Sequence, residues 1–96
     1  MSAPVVEFAD QSGKRVVPLK EQNGIGRNDD CSVAVKSPTM SRRHGELNFE
    51  NGRWMLSDLG SASGTWVDGK QIKPSCELHD GQTFRMGNVD FVLRLT

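Results

Sequence analysis

Glycine and proline interrupt this chain so often that a helix of ordinary length has nowhere to form. Fourteen of the 96 residues are one or the other, and the longest stretch free of both, Arg27 to Ser37, is 11 residues. Within that stretch the apolar residues alternate, as in a half-buried strand, and do not recur with a helical period. The chain is therefore restricted to short strands joined by turns.

Two hairpins follow from turn chemistry and face matching together. In "HGELNFENGRWMLSDL", Asn51-Gly52 is a type I′ signal, and a two-residue loop there sets Phe49 opposite Trp54, Leu47 opposite Leu56 and Glu50 opposite Arg53. A slip of one residue would turn the whole apolar set to solvent, so pattern and turn agree. In "QTFRMGNVDFVLRLT", Gly87-Asn88 pairs Met86 with Val89, Phe84 with Phe91 and Arg85 with Asp90. Asp68-Gly69 in "TWVDGKQI" is a third candidate with less well matched faces, and shorter strands are expected over 4–8, 15–19, 23–26 and 33–36. Many short strands at this spacing imply an antiparallel sandwich or small barrel with its loops gathered at two ends, and function belongs in one such cluster of loops.

Size and charge limit the alternatives. The length suits one domain, read as a loose N-terminus over 1–3 and a folded domain over 4–96, either a monomer or part of a larger multidomain chain. Twelve basic residues balance twelve acidic ones, so no global field draws the chain to nucleic acid or to an anionic membrane. No apolar run approaches a membrane span and the first residues lack signal-peptide character, which gives the expectation of a cytoplasmic protein. Cys31 and Cys76 are expected as inert thiols, and with His44 and His79 they form no metal-ligand motif, so neither a metal nor a cofactor is expected.

The unusual residues concentrate in three polar segments, "GIGRNDD" (24–30), "SPTMSRRH" (37–44) and "DLGSASGTW" (58–66). Arg27 presents a guanidinium just after two glycines, and a guanidinium meets phosphate or carboxylate with a two-point fork. The bland alternative is an exposed ion pair with Asp29 or Asp30. Ser41 adds a hydroxyl donor and Arg42 a second fork, and the turn that carries them is short enough for backbone N–H groups to join in. Strand parity puts His44 on the face opposite Leu47 and Phe49 unless the loop-to-strand junction breaks it, and its expected part is that of a loop organiser. Trp54 and Trp66 are read as core or edge packing, and Arg43 as a solvated residue on the flank of the loop.

"GR", then "SRRH" fourteen residues after Arg27, then "DLGSASGTWVDG" and "LHDGQTFRMGNVDFVL" resemble the forkhead-associated (FHA) domain along almost the whole chain. That resemblance implies a sandwich of two antiparallel sheets, about eleven short strands, which binds phosphothreonine-containing segments of partner proteins at loops on one end and acts in signalling. By the same similarity Gly26 sets the turn, Arg27 and Ser41 contact the phosphate, Arg42 assists with phosphate or peptide, and His44 supports the loops. Ser61, Gly64 and Thr65 complete the scaffold. The third motif departs from the family pattern, because Ser63, after Ala62, stands where Asn is usual before Gly-Thr. A loss of one or two hydrogen bonds to the peptide backbone is worth about 1–3 kcal/mol, or about tenfold to a hundredfold in affinity. The expected activity is thus weak phosphopeptide binding through Arg27, Ser41, Arg42 and Ser63, and phosphate-independent docking through the same fold is the alternative. Ser41, His44 and Asp58 supply the residue types of a hydrolytic triad, but no nucleophile-elbow pattern surrounds Ser41, so no enzyme is expected.

Overall fold

A computed structural model describes residues 3–95. Residues 1 and 2 of the loose stretch expected over 1–3 lie outside the described residues, as does residue 96 of the domain expected over 4–96, and Ala3 is exposed. Eleven strands and no helix make up the described residues: β1 (Val5–Asp10), β2 (Gly13–Pro18), β3 (Gln22–Gly26), β4 (Val33–Ala34), β5 (Gly45–Glu50), β6 (Arg53–Asp58), β7 (Thr65–Val67), β8 (Lys70–Gln71), β9 (Ser75–Leu78), β10 (Thr83–Met86) and β11 (Val89–Arg94). They form a six-stranded sheet in the order β2-β1-β11-β10-β7-β8 and a five-stranded sheet in the order β4-β3-β5-β6-β9. The architecture is an open sandwich, with no closed barrel.

The two hairpins whose pairings follow from the sequence take the expected register, and the third candidate forms as well, with Val67 facing Lys70 and Trp66 facing Gln71 across β7 and β8. Leu47 faces Leu56, Phe49 faces Trp54 and Glu50 faces Arg53 across β5 and β6. Phe84 faces Phe91, Met86 faces Val89 and Arg85 faces Asp90 across β10 and β11. Asn51 and Asp68 adopt positive φ, 52° each, and the glycine after each does too, which is the backbone of a type I′ turn. The β10–β11 turn differs: Gly87 alone has positive φ, 59°, so this is the II′ arrangement with glycine at the first central position.

Alternation along each strand then builds the core. Val6 and Phe8 of β1, Phe84 and Met86 of β10, and Phe91 and Leu93 of β11 point inward from one sheet, and Ile25, Leu47 and Leu56 meet them from the other. Phe91 lies between two rings, stacked on Phe84 at 4.8 Å and tilted against Phe8 at 5.0 Å. Burying each such side chain stabilises the fold by about 1.5–3 kcal/mol, enough for a chain with two free cysteines to hold together without a disulfide.

The strands expected over 4–8 and 15–19 run to a tight turn, as Val5–Asp10 and Gly13–Pro18, and β4 and β9 depart further from expectation. The strand expected over 33–36 ends at Ala34, although Val33 and Val35 are both fully buried. The chain turns off there because the Lys36 N–H donates to Asp10 Oδ2 at 2.8 Å and the Ser37 N–H to the Val35 carbonyl at 3.1 Å. Its pairing with β3 is parallel, unlike the other ladders. Strand β9 is not among the expected strands: Ser75–Leu78 does alternate, but over four residues with only Cys76 and Leu78 to mark its apolar face.

Candidate functional site

One end of the sandwich collects the ends of β3 and β6, the starts of β5 and β7, and the β10–β11 turn. The three polar segments meet there. The Arg27 N–H donates to the Ser41 carbonyl at 3.0 Å and the Asn28 N–H to the Arg42 carbonyl at 3.2 Å, so the chain after β3 is zipped to the loop before β5. Gly26 makes this approach possible. It ends β3 without left-handed φ, and a Cβ on it would lie 2.1 Å from the Arg42 carbonyl oxygen, so what it supplies is clearance rather than the turn.

Arg27 is exposed, and its Nε donates to the Met40 carbonyl at 3.2 Å. That bond lays the side chain along residues 40 and 41 and leaves both terminal nitrogens without a protein partner among the described residues. The ion pair that would have neutralised it does not form. Asp29 pairs with Lys36, whose hydrogen bond and charge hold the Asp29 carboxyl below its ordinary range, and Asp30 pairs with Arg43 at 2.8 Å. Arg42 is exposed with no side-chain partner among the described residues. Two guanidinium groups, one on the residue after β3 and one on the residue after Ser41, therefore remain without an acidic partner among the described residues. The Ser41 Oγ accepts the Ala62 N–H at 3.2 Å, which keeps its own O–H proton available to an acceptor outside the protein.

His44 lies beneath these groups, fully buried. Parity breaks at the junction, since Gly45 next to it is also buried. Its Nδ1 accepts the Ser41 N–H at 3.2 Å and its Nε2 lies 2.8 Å from the Gly64 carbonyl. Nδ1 can accept only when unprotonated, so the proton sits on Nε2 and the ring is the neutral Nε2–H tautomer. The backbone of His44 ties the same loops, donating to the Ile25 carbonyl at 2.9 Å and accepting the Leu59 N–H at 3.0 Å. Neither ring nitrogen bonds the Ser41 hydroxyl, and Asp58 Oδ1 is 3.8 Å from Nε2, so Ser41, His44 and Asp58 are not aligned as a proton relay.

Asp58 has a different task, for which the sequence offers the local signal Asp-x-Gly-Ser. Its Oδ2 accepts the Gly60 and Ser61 N–H groups, both at 3.0 Å, and its Oδ1 accepts the hydroxyls of Ser61 at 2.5 Å and Thr65 at 2.7 Å. Burial pushes the Asp58 carboxyl up, but these donors together outweigh it and hold the group below its ordinary value. Ser61 Oγ also accepts the Gly64 N–H at 2.9 Å, and Gly64 takes φ of 83°, which closes the β6–β7 loop around one carboxylate. Ser63 is exposed, with its hydroxyl donating to the Thr39 carbonyl at 3.0 Å. Thr39 and Asn88 do not stand out in the sequence, because they meet across 49 residues with no local pattern to mark them. Among the described residues no group of three or more His, Cys, Asp or Glu side chains is placed to hold a metal, and no helix is long and apolar enough to cross a membrane.

Comparison with known proteins bears on this geometry. The chain matches the family described as FHA domain over residues 23–87. It is 29% identical over 83 residues to the FHA domain-containing protein FhaB of Mycobacterium tuberculosis, covering 86% of this chain and 54% of that protein. A solved structure from work on phosphothreonine-dependent FHA domain interactions superposes with a TM-score of 0.87 at 30% identity, covering 99% of this chain and 98% of the other. The FhaA FHA domain, solved in complex with the intracellular domain of Rv3910, superposes with a TM-score of 0.84 at 31% identity, covering 96% of this chain and 100% of the other. The chain spans about half of FhaB and a tenth of another curated relative.

Proposed function

The chain belongs to the forkhead-associated family, and from that premise we propose that it binds phosphothreonine-containing segments of partner proteins, as an interaction module in signalling, through Arg27, Ser41 and Arg42. The observation that carries this reading is the pairing pattern at the loops. Asp29 and Asp30 are taken by Lys36 and Arg43, while the Arg27 fork, the Arg42 fork and the Ser41 hydroxyl proton have no internal acceptor among the described residues. A doubly charged oxyanion with three acceptor oxygens matches such a set of donors.

Ser63 favours a second reading, phosphate-independent docking through the same loops. Its hydroxyl is directed to the Thr39 carbonyl and so is withdrawn from the peptide. Phosphate contacts are separable from that loss, and the first reading expects binding that is phosphate-dependent but weak. Isothermal titration with a phosphothreonine peptide library and its unmodified counterparts separates the two. Binding confined to the phosphorylated forms supports phosphothreonine recognition; equal affinity for both forms hands the site to docking.

A further inference from the structure

Resting on the phosphothreonine reading of the site, a second element of the fold enters it. We infer that Thr39 and Asn88 are a positioning pair, through which the β10–β11 turn of the six-stranded sheet holds the phosphate-facing loop of the five-stranded sheet. The Asn88 N–H donates to Thr39 Oγ1 at 3.0 Å, and Thr39 Oγ1 donates back to Asn88 Oδ1 at 2.7 Å. Ser37 Oγ adds a third bond, to the same Oδ1, at 3.1 Å. The turn lies flush against the loop: a Cβ on Gly87 would be 2.6 Å from Thr39 Oγ1 and 2.7 Å from the Thr39 carbonyl oxygen.

The run of carbonyls from Thr39 to Arg42 makes the clasp matter for binding. Each accepts from a different part of the site: Thr39 from the Ser63 hydroxyl, Met40 from Arg27 Nε, Ser41 from the Arg27 N–H and Arg42 from the Asn28 N–H. A lateral shift of Thr39 would therefore move Arg27, Ser41 and Ser63 together. Asn88 is exposed and outside the core, so its removal costs little folding stability. Its effect should instead be read in the geometry of the donors, which act together in one hydrogen-bonded network.

The test uses Asn88→Ala and Thr39→Val, with Thr39→Ser as the variant that keeps the hydroxyl. Each is titrated with the tightest peptide from a degenerate phosphothreonine library and with its unphosphorylated twin, and amide hydrogen exchange is followed at Arg27 and Ala62. The inference expects phosphopeptide affinity to fall about threefold to tenfold in Asn88→Ala and Thr39→Val, with wild-type affinity in Thr39→Ser. It also expects faster exchange at Arg27 and Ala62 in the first two, with the melting temperature nearly unchanged. Wild-type affinity in Asn88→Ala and Thr39→Val, or unchanged exchange at both amides, overturns it. If the wild-type chain binds no phosphothreonine peptide, the functional reading fails, and exchange alone decides the positioning role in the same two directions.

Discussion

Arg27 and Ser41 are fourteen residues apart in the chain, yet the N–H of the first donates to the carbonyl of the second at 3.0 Å. The two loops that carry this guanidinium and this hydroxyl are thereby joined before any ligand arrives. Preorganisation of this kind lowers the ordering cost of binding, since neither loop has to be fixed by the ligand itself.

The first consequence concerns Arg27. Replacing it with Ala should weaken phosphothreonine-peptide binding about tenfold to a hundredfold, corresponding to about 1.5–3 kcal/mol for a charge-assisted bond. Arg27→Lys should recover only part of this, because a point charge lacks the two-point fork. Titration calorimetry on both variants checks the ordering, and unchanged affinity in Arg27→Ala would place the site elsewhere.

Gly26→Ala tests the packing beneath the site. The added Cβ would meet the Arg42 carbonyl oxygen at 2.1 Å, and two backbone segments would have to part. We expect a loss of about 1–3 kcal/mol in stability, seen as a lower urea midpoint at unchanged slope. A midpoint equal to that of the wild type would mean that the contact yields freely.

Acid should act through Asp58. Its folded carboxyl lies below the ordinary 3.8, with burial opposing the shift and the Ser61, Thr65 and Gly60 donors producing it. The folded state thus takes up this proton less readily than the unfolded chain. The resulting stability is complete above the unfolded value and disappears as pH falls through the folded one. Urea midpoints of the wild type should drop below about pH 4, and Asp58→Asn should show a shallower drop from a lower plateau. Asp29, also held low, leaves a residual slope in that variant. Identical pH profiles for the two proteins would remove Asp58 from this role.

Ser63→Asn installs the residue that the resemblance to the family implies at this loop. An amide that both donates and accepts there should tighten phosphopeptide binding about fivefold to tenfold, one hydrogen bond's worth. Affinity unchanged in that variant would show that the peptide does not pass this loop.

Much of the fold is legible in the sequence because its signals are local. Asn51-Gly52 and Gly87-Asn88 specify turns that only one register of their strands can satisfy, and Leu47, Leu56, Phe84 and Phe91 confirm that register by their burial. The early end of β4 is not legible, since Asp10, 26 residues away, captures the Lys36 N–H. At the site, Arg27, Ser41 and His44 stand out by residue type and spacing. Asp58 is read in the sequence as a triad residue type; the local Asp-x-Gly-Ser signal carries its bonds from Gly60 and Ser61, and only the bond from Thr65, seven residues on, depends on how the loop folds back. Ser63 is visibly unusual, but nothing local shows that its hydroxyl turns to Thr39. The clasp between Thr39 and Asn88 joins two sheets and leaves no trace in either segment alone.

The most direct measurement is nuclear magnetic resonance of the Arg27 side-chain Nε–H and the Ser41 and Ala62 amides, during titration with a phosphothreonine peptide and with its unphosphorylated twin. We predict large, saturable shifts at these three probes with the phosphorylated peptide and none with the other. Equal shifts with both peptides, or shifts confined to the opposite end of the sandwich around Phe49 and Trp54, would contradict the assignment of phosphate to Arg27 and Ser41.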